Sequence, residues 1–407
     1  MSSLRKVFLG RPSNNLTSGI VGLANVGKST FFQAITKSQL GNPANYPFAT
    51  IEPEEAKVQI PSPRLDHLQK LYQSEKKVPA TLTVYDIAGL VRGASQGQGM
   101  GSAFLNDIKH VDGIFHVVRG FQNTDITHIE GSVDPLRDLS VVQDELVLKD
   151  LEFLENIKEK LSKKMGRTAK NSHEFVELEQ ELNFLSELEE HLYEGRKIIH
   201  FKKDWTPFEV STLNKHNFLT AKPTLLLLNV TPEDYILQKN EFVADVKRWI
   251  KEFAPGDELM LFSAEFETLC AKHSSDSDPF KKYLHEQLGL DPSTTWAAAE
   301  SALPQAIVKM RELLGLISFF TCGPSEVRQW TVRQGSTAPE AASVIHTDLQ
   351  DTFINANVIK YDDLAQLEPP FQESALKSQG KIKRVGKQHI MEDNSIVVFQ
   401  AAGAKAR

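Results

Sequence analysis

IVGLANVGKST, residues 20–30, decides the reading of this chain of 407 residues. Residues 20–22 form a short apolar run that predicts a strand, and residues 29–37 open as a helix. Between them, Gly22 to Ser29 satisfies GxxxxGK[ST] in the strand–loop–helix context that a phosphate-binding loop requires. Backbone amides of such a loop and of the helix N-terminus can surround phosphate oxygens. Lys28 would place its charge at the β- and γ-phosphates and act in catalysis, and Ser29 would offer a hydroxyl oxygen to Mg²⁺. Asn25, Val26, Gly27, Lys28, Ser29 and Thr30 are therefore the expected phosphate-side residues.

Working outward, apolar or β-branched runs at 82–85, 114–118, 224–228 and 259–262 alternate with helical patterns, which predicts an α/β fold with a mostly parallel sheet. The run at 82–85 ends in Asp86-Ile-Ala-Gly89, at a strand's C-terminal edge where ligand crevices form. Asp86 is expected to hold Mg²⁺ and Gly89 to offer an amide near the γ-phosphate, a contact that hydrolysis would release. Thr50, in the upstream loop YPFAT, is placed as a second Mg²⁺ ligand. Leu90 follows Gly89 where many GTPases carry a glutamine that orients water, so hydrolysis is slow or another polar group enters. Gly93, Gly97, Gly99 and Gly101 give the following loop conformational freedom.

Base recognition is less conventional. GTPases read guanine with an Asn-Lys-x-Asp element, whose aspartate accepts from two base donors. Here the matching strand runs into Asn229-Val-Thr-Pro-Glu233, and Pro232 occupies the aspartate position without a side-chain acceptor. A site that has lost the acceptor no longer selects guanine, so ATP becomes the expected nucleotide, with GTP open if Glu233 substitutes. Asn229, Val230 and the later Ser263, Ala264 and Glu265 are the expected base-side residues.

From about residue 141 to 198, leucines recur at helical spacing among charged residues, predicting two antiparallel helices of about 20 residues each, roughly 30 Å long. Beyond about residue 316, strand-like segments and one helix-like stretch predict a separate, small mixed sheet. The net charge of −7 excludes a globally basic nucleic-acid binder, although Lys377, Lys381, Lys383, Arg384 and Lys387 form a local basic run. Cys270 and Cys322 have no CxxC spacing, which gives no support to a disulfide framework or zinc site. No apolar run approaches the ~20 residues of a membrane span, and residues 1–18 lack a signal-peptide pattern, so a cytoplasmic protein without membrane contact is expected.

GLANVGKST, NYPFATIEP, DIAGLVRGASQGQGMGSAFL, HVVRGF, the altered base element at Asn229 and WTVRQGSTAPEAASVIHTDLQDTFINANV together resemble the Obg-like ATPases of YchF type, in the Obg family of P-loop GTPases. The resemblance implies a G domain over 1–135 and 206–315, a helical coiled-coil insertion over 136–205 and a C-terminal β-grasp TGS domain over 316–402. It implies ATP hydrolysis in preference to GTP; with the Mg²⁺ ligands read above, a nucleotide-controlled switch that engages the ribosome or RNA through the helical arm and TGS domain is expected. A monomer is expected. The family's usual proline is Ala24 here, and its Asn-x-x-Glu element is displaced by Pro232. By the same resemblance, His128 in DITHI would replace the missing glutamine, and Asn25 would help bind K⁺. The competing readings are a nucleotide-gated ribosome- or RNA-binding module in which hydrolysis matters little, and a GTP-specific GTPase.

Overall fold

The computed structural model describes residues 9–37, 55–87, 89, 93, 101–202, 204–272, 285–286, 289, 300–369 and 373–402. Thr50, Leu90, Gly97 and Gly99 lie outside the described residues.

One sheet organises the nucleotide half. It comprises β1 (Thr17–Val21), β2 (Glu55–Gln59), β4 (Thr81–Asp86), β5 (Gly113–Arg119), β6 (Thr224–Asn229) and β7 (Glu258–Phe262), in the order β2-β4-β1-β5-β6-β7. Only β2 runs antiparallel to its neighbour; the other pairings are parallel. β5 and β6 are buried at every residue, as strands covered on both faces must be. Helices α1 (Lys28–Lys37), α3 (Gly101–His110), α8 (Val243–Phe253) and α9 (Ala264–Lys272) belong to this half. The order reverses at β1, so the connections leaving the C-terminal ends of β1 and β5 run to opposite sides and open a crevice there.

Sequence periodicity places the helical hairpin correctly and underestimates its first helix. α4 (Pro135–Met165) is 31 residues long, roughly 46 Å at 1.5 Å per residue. It begins upstream of the leucine pattern because Asp134 accepts hydrogen bonds from the amides of Leu136 and Arg137, and Pro135 takes the first helical position, where no N–H is needed. Its first half buries Leu139, Val142 and Leu146 in the core of the nucleotide sheet. Its second half buries Leu154 and Leu161 against Leu178, Leu185, Leu188 and Leu192, all of the last four on α5 (His173–Tyr193).

The C-terminal sheet has the order β11-β10-β12-β8-β9-β3. β8 (Leu316–Cys322), β9 (Glu326–Arg333), β10 (Phe353–Lys360), β11 (Lys383–Val385) and β12 (Ser395–Ala401) come from the C-terminal region, and the helix Ala338–Ile345 covers one face. The sixth strand does not. β3 (Lys76–Val78) departs from the nucleotide half and pairs in parallel with β9, Lys76 opposite Glu326. Helix α2 (Pro63–Tyr72) comes with it and buries Leu65, Leu68 and Leu71 beside Phe320, Val327, Ile359 and Ile396. The expected separate sheet is thus completed by residues 63–78, which connect the paired strands β2 and β4. A three-residue strand has no periodicity that could reveal its distant partner.

Candidate nucleotide-binding site

A cavity of about 460 Å³ opens at the C-terminal ends of β1, β5 and β6. Asn25, Gly27, Lys28, Ser29 and Thr30 line its floor, and Asn229, Val230, Ala264 and Glu265 line it from β6 and α9. The volume suits a nucleotide-sized ligand. Val26 and Ser263 stand behind this surface, buried: Val26 in the core, and Ser263 accepting from the amide of Phe266 at 3.3 Å to cap α9.

The phosphate loop takes its shape from a few close approaches. Gly27 has φ of +104°, and a Cβ built there would stand 2.4 Å from Asn229 Nδ2, so only glycine fits. Lys28 is buried and donates to the carbonyl of Leu23 at 2.7 Å. Burial pushes its ammonium down to about 8, against the attraction of Asp86. Gly89 packs on the same lysine, since a Cβ there would lie 3.1 Å from Lys28 Nζ. Asp86, at the end of β4, and Gly89 are therefore beside the phosphate loop, although neither lines the cavity.

Asn229 is placed as a tie between loops. Its Nδ2 donates to the carbonyl of Val26 at 2.9 Å, and its Oδ1 accepts from the amide of Ala264 at 3.0 Å. Both ends of the amide are thus committed to protein, and the residue sits at the cavity wall. Pro232 is the first residue of α7 (Pro232–Leu237), capped by Thr231, whose side chain accepts from the amide of Asp234 at 3.2 Å. Proline costs nothing there because the first helical amides have no partner in the helix. Glu233 is exposed and does not line the cavity, so it does not take over the position of the missing aspartate. The carboxylate on the described wall is Glu265, in the first turn of α9.

His128, expected to replace the missing glutamine, lies in the loop that follows β5. Rather than a free side chain beside the phosphates, it is buried, with Nδ1 accepting from the amide of Glu130 at 3.1 Å and Nε2 lying 2.8 Å from Asp138 Oδ2. That tautomer carries its proton on Nε2 and donates to Asp138. Burial raises the Asp138 carboxyl above its ordinary value, opposed by Arg137 and His128. His128 is absent from the cavity wall, and both its nitrogens are engaged, so it anchors its loop. For Asn25, φ is +63° and Nδ2 donates to the carbonyl of Thr127 at 3.1 Å, which fastens the phosphate loop to the same loop.

Sequence reasoning missed the wall formed by Phe121, Gln122, Asn123 and Ile126, and by Thr231. Arg119, 1% exposed at the end of β5, fixes this segment. Its guanidinium donates to the carbonyls of Phe121 at 3.1 Å, Ile126 at 3.0 Å and Asn123 at 3.1 Å, and its carbon lies 4.6 Å from the Phe121 ring centre. The available signal was positional: the loop leaves the C-terminal end of a central parallel strand, where crevices form.

A second cavity of about 720 Å³ lies near the opposite, N-terminal ends of β1 and β6, lined in part by Arg11, Asp112, Trp205 and Lys222. Three of these charged groups are engaged with protein: Arg11 donates to Asp112 through two nitrogens at 2.6 Å, and Lys222 donates to the carbonyl of Lys109 at 3.0 Å.

Comparison with known proteins agrees with this geometry. A family model described as "50S ribosome-binding GTPase" matches residues 17–149, and YchF-GTPase_C, described as "Protein of unknown function (DUF933)", matches residues 316–402. An "Obg-like ATPase homolog" from Saccharomyces cerevisiae is 63% identical over 402 residues, covering 99% of this chain and 98% of the relative. The chain belongs to the Obg-like ATPase family of YchF type. Human "Obg-like ATPase 1" is 41% identical, covering 97% of this chain and 94% of the relative. The solved "Structure of the Schizosaccharomyces pombe YchF GTPase" superposes with a TM-score of 0.83 at 44% identity, covering 97% of this chain and all of that one. A P-loop GTPase-like sheet with a YchF-type C-terminal region is the shared architecture. The match to a P-loop GTPase domain and to the Obg-like ATPases places the chain among the P-loop nucleoside triphosphatases. Among the described residues no helix is long and apolar enough to cross a membrane.

Proposed function

We propose that this protein is a Mg²⁺-dependent ATPase that prefers ATP to GTP and works as a nucleotide-controlled switch linked to the ribosome. The observation that carries the base preference is the absence of a carboxylate at position 232, together with an exposed Glu233 that does not line the cavity. Guanine would leave two donors without the acceptor that ordinarily selects it, whereas adenine asks for no such group.

Hard oxygen donors beside a buried ammonium fit Mg²⁺. Ser29 and Asp86 would hold the ion, with Thr50 as the third protein ligand. When bound, Mg²⁺ would neutralise charge developing on the phosphate oxygens. Lys28 holds the β- and γ-phosphates, and the amides around Gly27 and Gly89 cradle them. Val230 and Phe121 give the base apolar surface. Asn229, Arg119, Asn25 and His128 position the loops that carry these groups.

Phosphate release from ATP, followed with and without Mg²⁺, tests this reading. Turnover should need Mg²⁺, proceed slowly for want of a water-orienting glutamine, and vanish in Lys28→Ala. Turnover unaffected by that substitution would place the reaction elsewhere.

The ribosome link has its own support. Lys377, Lys383, Arg384 and Lys387 are exposed, and two of them stand on the edge strand β11. Local cations on a sheet edge suit RNA phosphates. This favours, as a second reading, an RNA-binding module gated by nucleotide. Reversing these charges should weaken co-sedimentation with ribosomes and flatten its salt dependence; sedimentation unaffected by the reversal would remove the link. A monomeric, cytoplasmic protein completes the proposal.

A further inference from the structure

Two buried acids stand seven residues apart on α4, hence on one face of the helix. Asp138 receives His128, whose loop neighbour Thr127 receives Asn25 of the phosphate loop. Glu145, 5% exposed, accepts the backbone amide of Gly93 at 2.6 Å. Gly93 follows four residues after Gly89, which lies against Lys28, and it has φ of +84°, a backbone conformation that glycine tolerates. Asp138 and Glu145 thus hold, from the same face of α4, the loop tied to Asn25 and the Gly93 amide. About two and a half turns past Glu145, the same unbroken helix buries Leu154 against the second helix of the arm.

We propose that Glu145 is a positioning residue for ATP hydrolysis, and that through it α4 couples the placement of Gly93 to the helical arm. The inference rests on reading the cavity as an ATPase site. A carboxylate oxygen on a backbone N–H makes a short, charge-assisted bond with fixed geometry. It holds Gly93 at one place on α4, and a rod anchored at that point moves if Gly93 is displaced.

The test compares Glu145→Ala, Glu145→Asp and Glu145→Gln. Fluorescent-ATP affinity should stay within about twofold of the parent, whereas saturated phosphate release should fall about tenfold or more in the Ala and Asp variants, as loss of positioning at unchanged binding requires. Asp retains the charge but shortens the reach, which keeps the test open if Ala fails to fold. Gln retains an oxygen acceptor and should restore most of the turnover. Hydrogen exchange over residues 151–193 should respond to a non-hydrolysable ATP analogue in the parent and lose that response in the Asp variant. Parent-like turnover and exchange in folded Ala and Asp variants would overturn the proposal. No ATP turnover in the parent itself would instead remove the underlying ATPase reading.

Discussion

Asn229 and Ala264 are joined at 3.0 Å, the Ala264 amide donating to Asn229 Oδ1, while the other end of the same side chain holds the carbonyl of Val26. One amide thereby sets the spacing between the phosphate loop and the start of α9. Asn229→Ala removes an acceptor and a donor from a buried position, at a cost of about 1–3 kcal/mol for each group left unpaired. Nucleotide affinity should fall about tenfold or more. Gly27→Ala should do the same from the other side, because its methyl would collide with Asn229 Nδ2. Isothermal titration of both variants checks this, and parent-like affinity in either would disprove the tie.

His128 separates anchoring from proton transfer. His128→Gln keeps an N–H that can reach Asp138, so most turnover should survive, whereas His128→Ala should lose both loop anchorage and activity. A general base would lose about 10²-fold or more in both variants. Comparing saturated phosphate release for the two decides between these roles.

Lys28 gives the pH dependence a sign. In the nucleotide-free protein its ammonium titrates at about 8, below the ordinary 10.5, because it is buried. A bound triphosphate favours the charged form, so binding above pH 8 takes up a proton. ATP affinity should be level below pH 8 and decline above it, by at most about tenfold per pH unit. Affinity constant from pH 7 to 9.5 would mean that the lysine stays charged in the free site.

Leu68 tests the joining of the two halves. It is fully buried, on a helix that precedes the nucleotide sheet's β4 yet packs in the C-terminal core. Leu68→Ala should destabilise the protein by about 2–5 kcal/mol in urea denaturation. A loss below about 0.5 kcal/mol, the range of surface substitutions, would contradict that packing.

How far the sequence carried these conclusions depended on the range of the physics. The phosphate loop is local: a strand, glycine spacing and a helix lie within a few turns, and residues 20–30 spell them out. The buried strand β6 announces itself through the unbroken apolar run 225–228, and β5 through a run interrupted only by His116. β3 could not, since three residues with two lysines resemble any exposed turn until Glu326 and Val327 pair with them. Leu65, Leu68 and Leu71 reveal a helical stripe, but no local feature says which core receives it. The burial of His128 was illegible for the same reason: it depends on Asp138, whose position follows from where α4 begins. Arg119 was quoted within a motif, yet its grip on three carbonyls exists only once the loop has folded back.

The base preference is the central claim, and competition between ATP and GTP for the Mg²⁺-loaded protein tests it most directly. With Pro232 in place of an acceptor, ATP should bind at least about tenfold more tightly, equivalent to ~1.4 kcal/mol. Tighter binding of GTP would contradict the account and point to Glu265, the carboxylate on the described cavity wall, as a guanine acceptor.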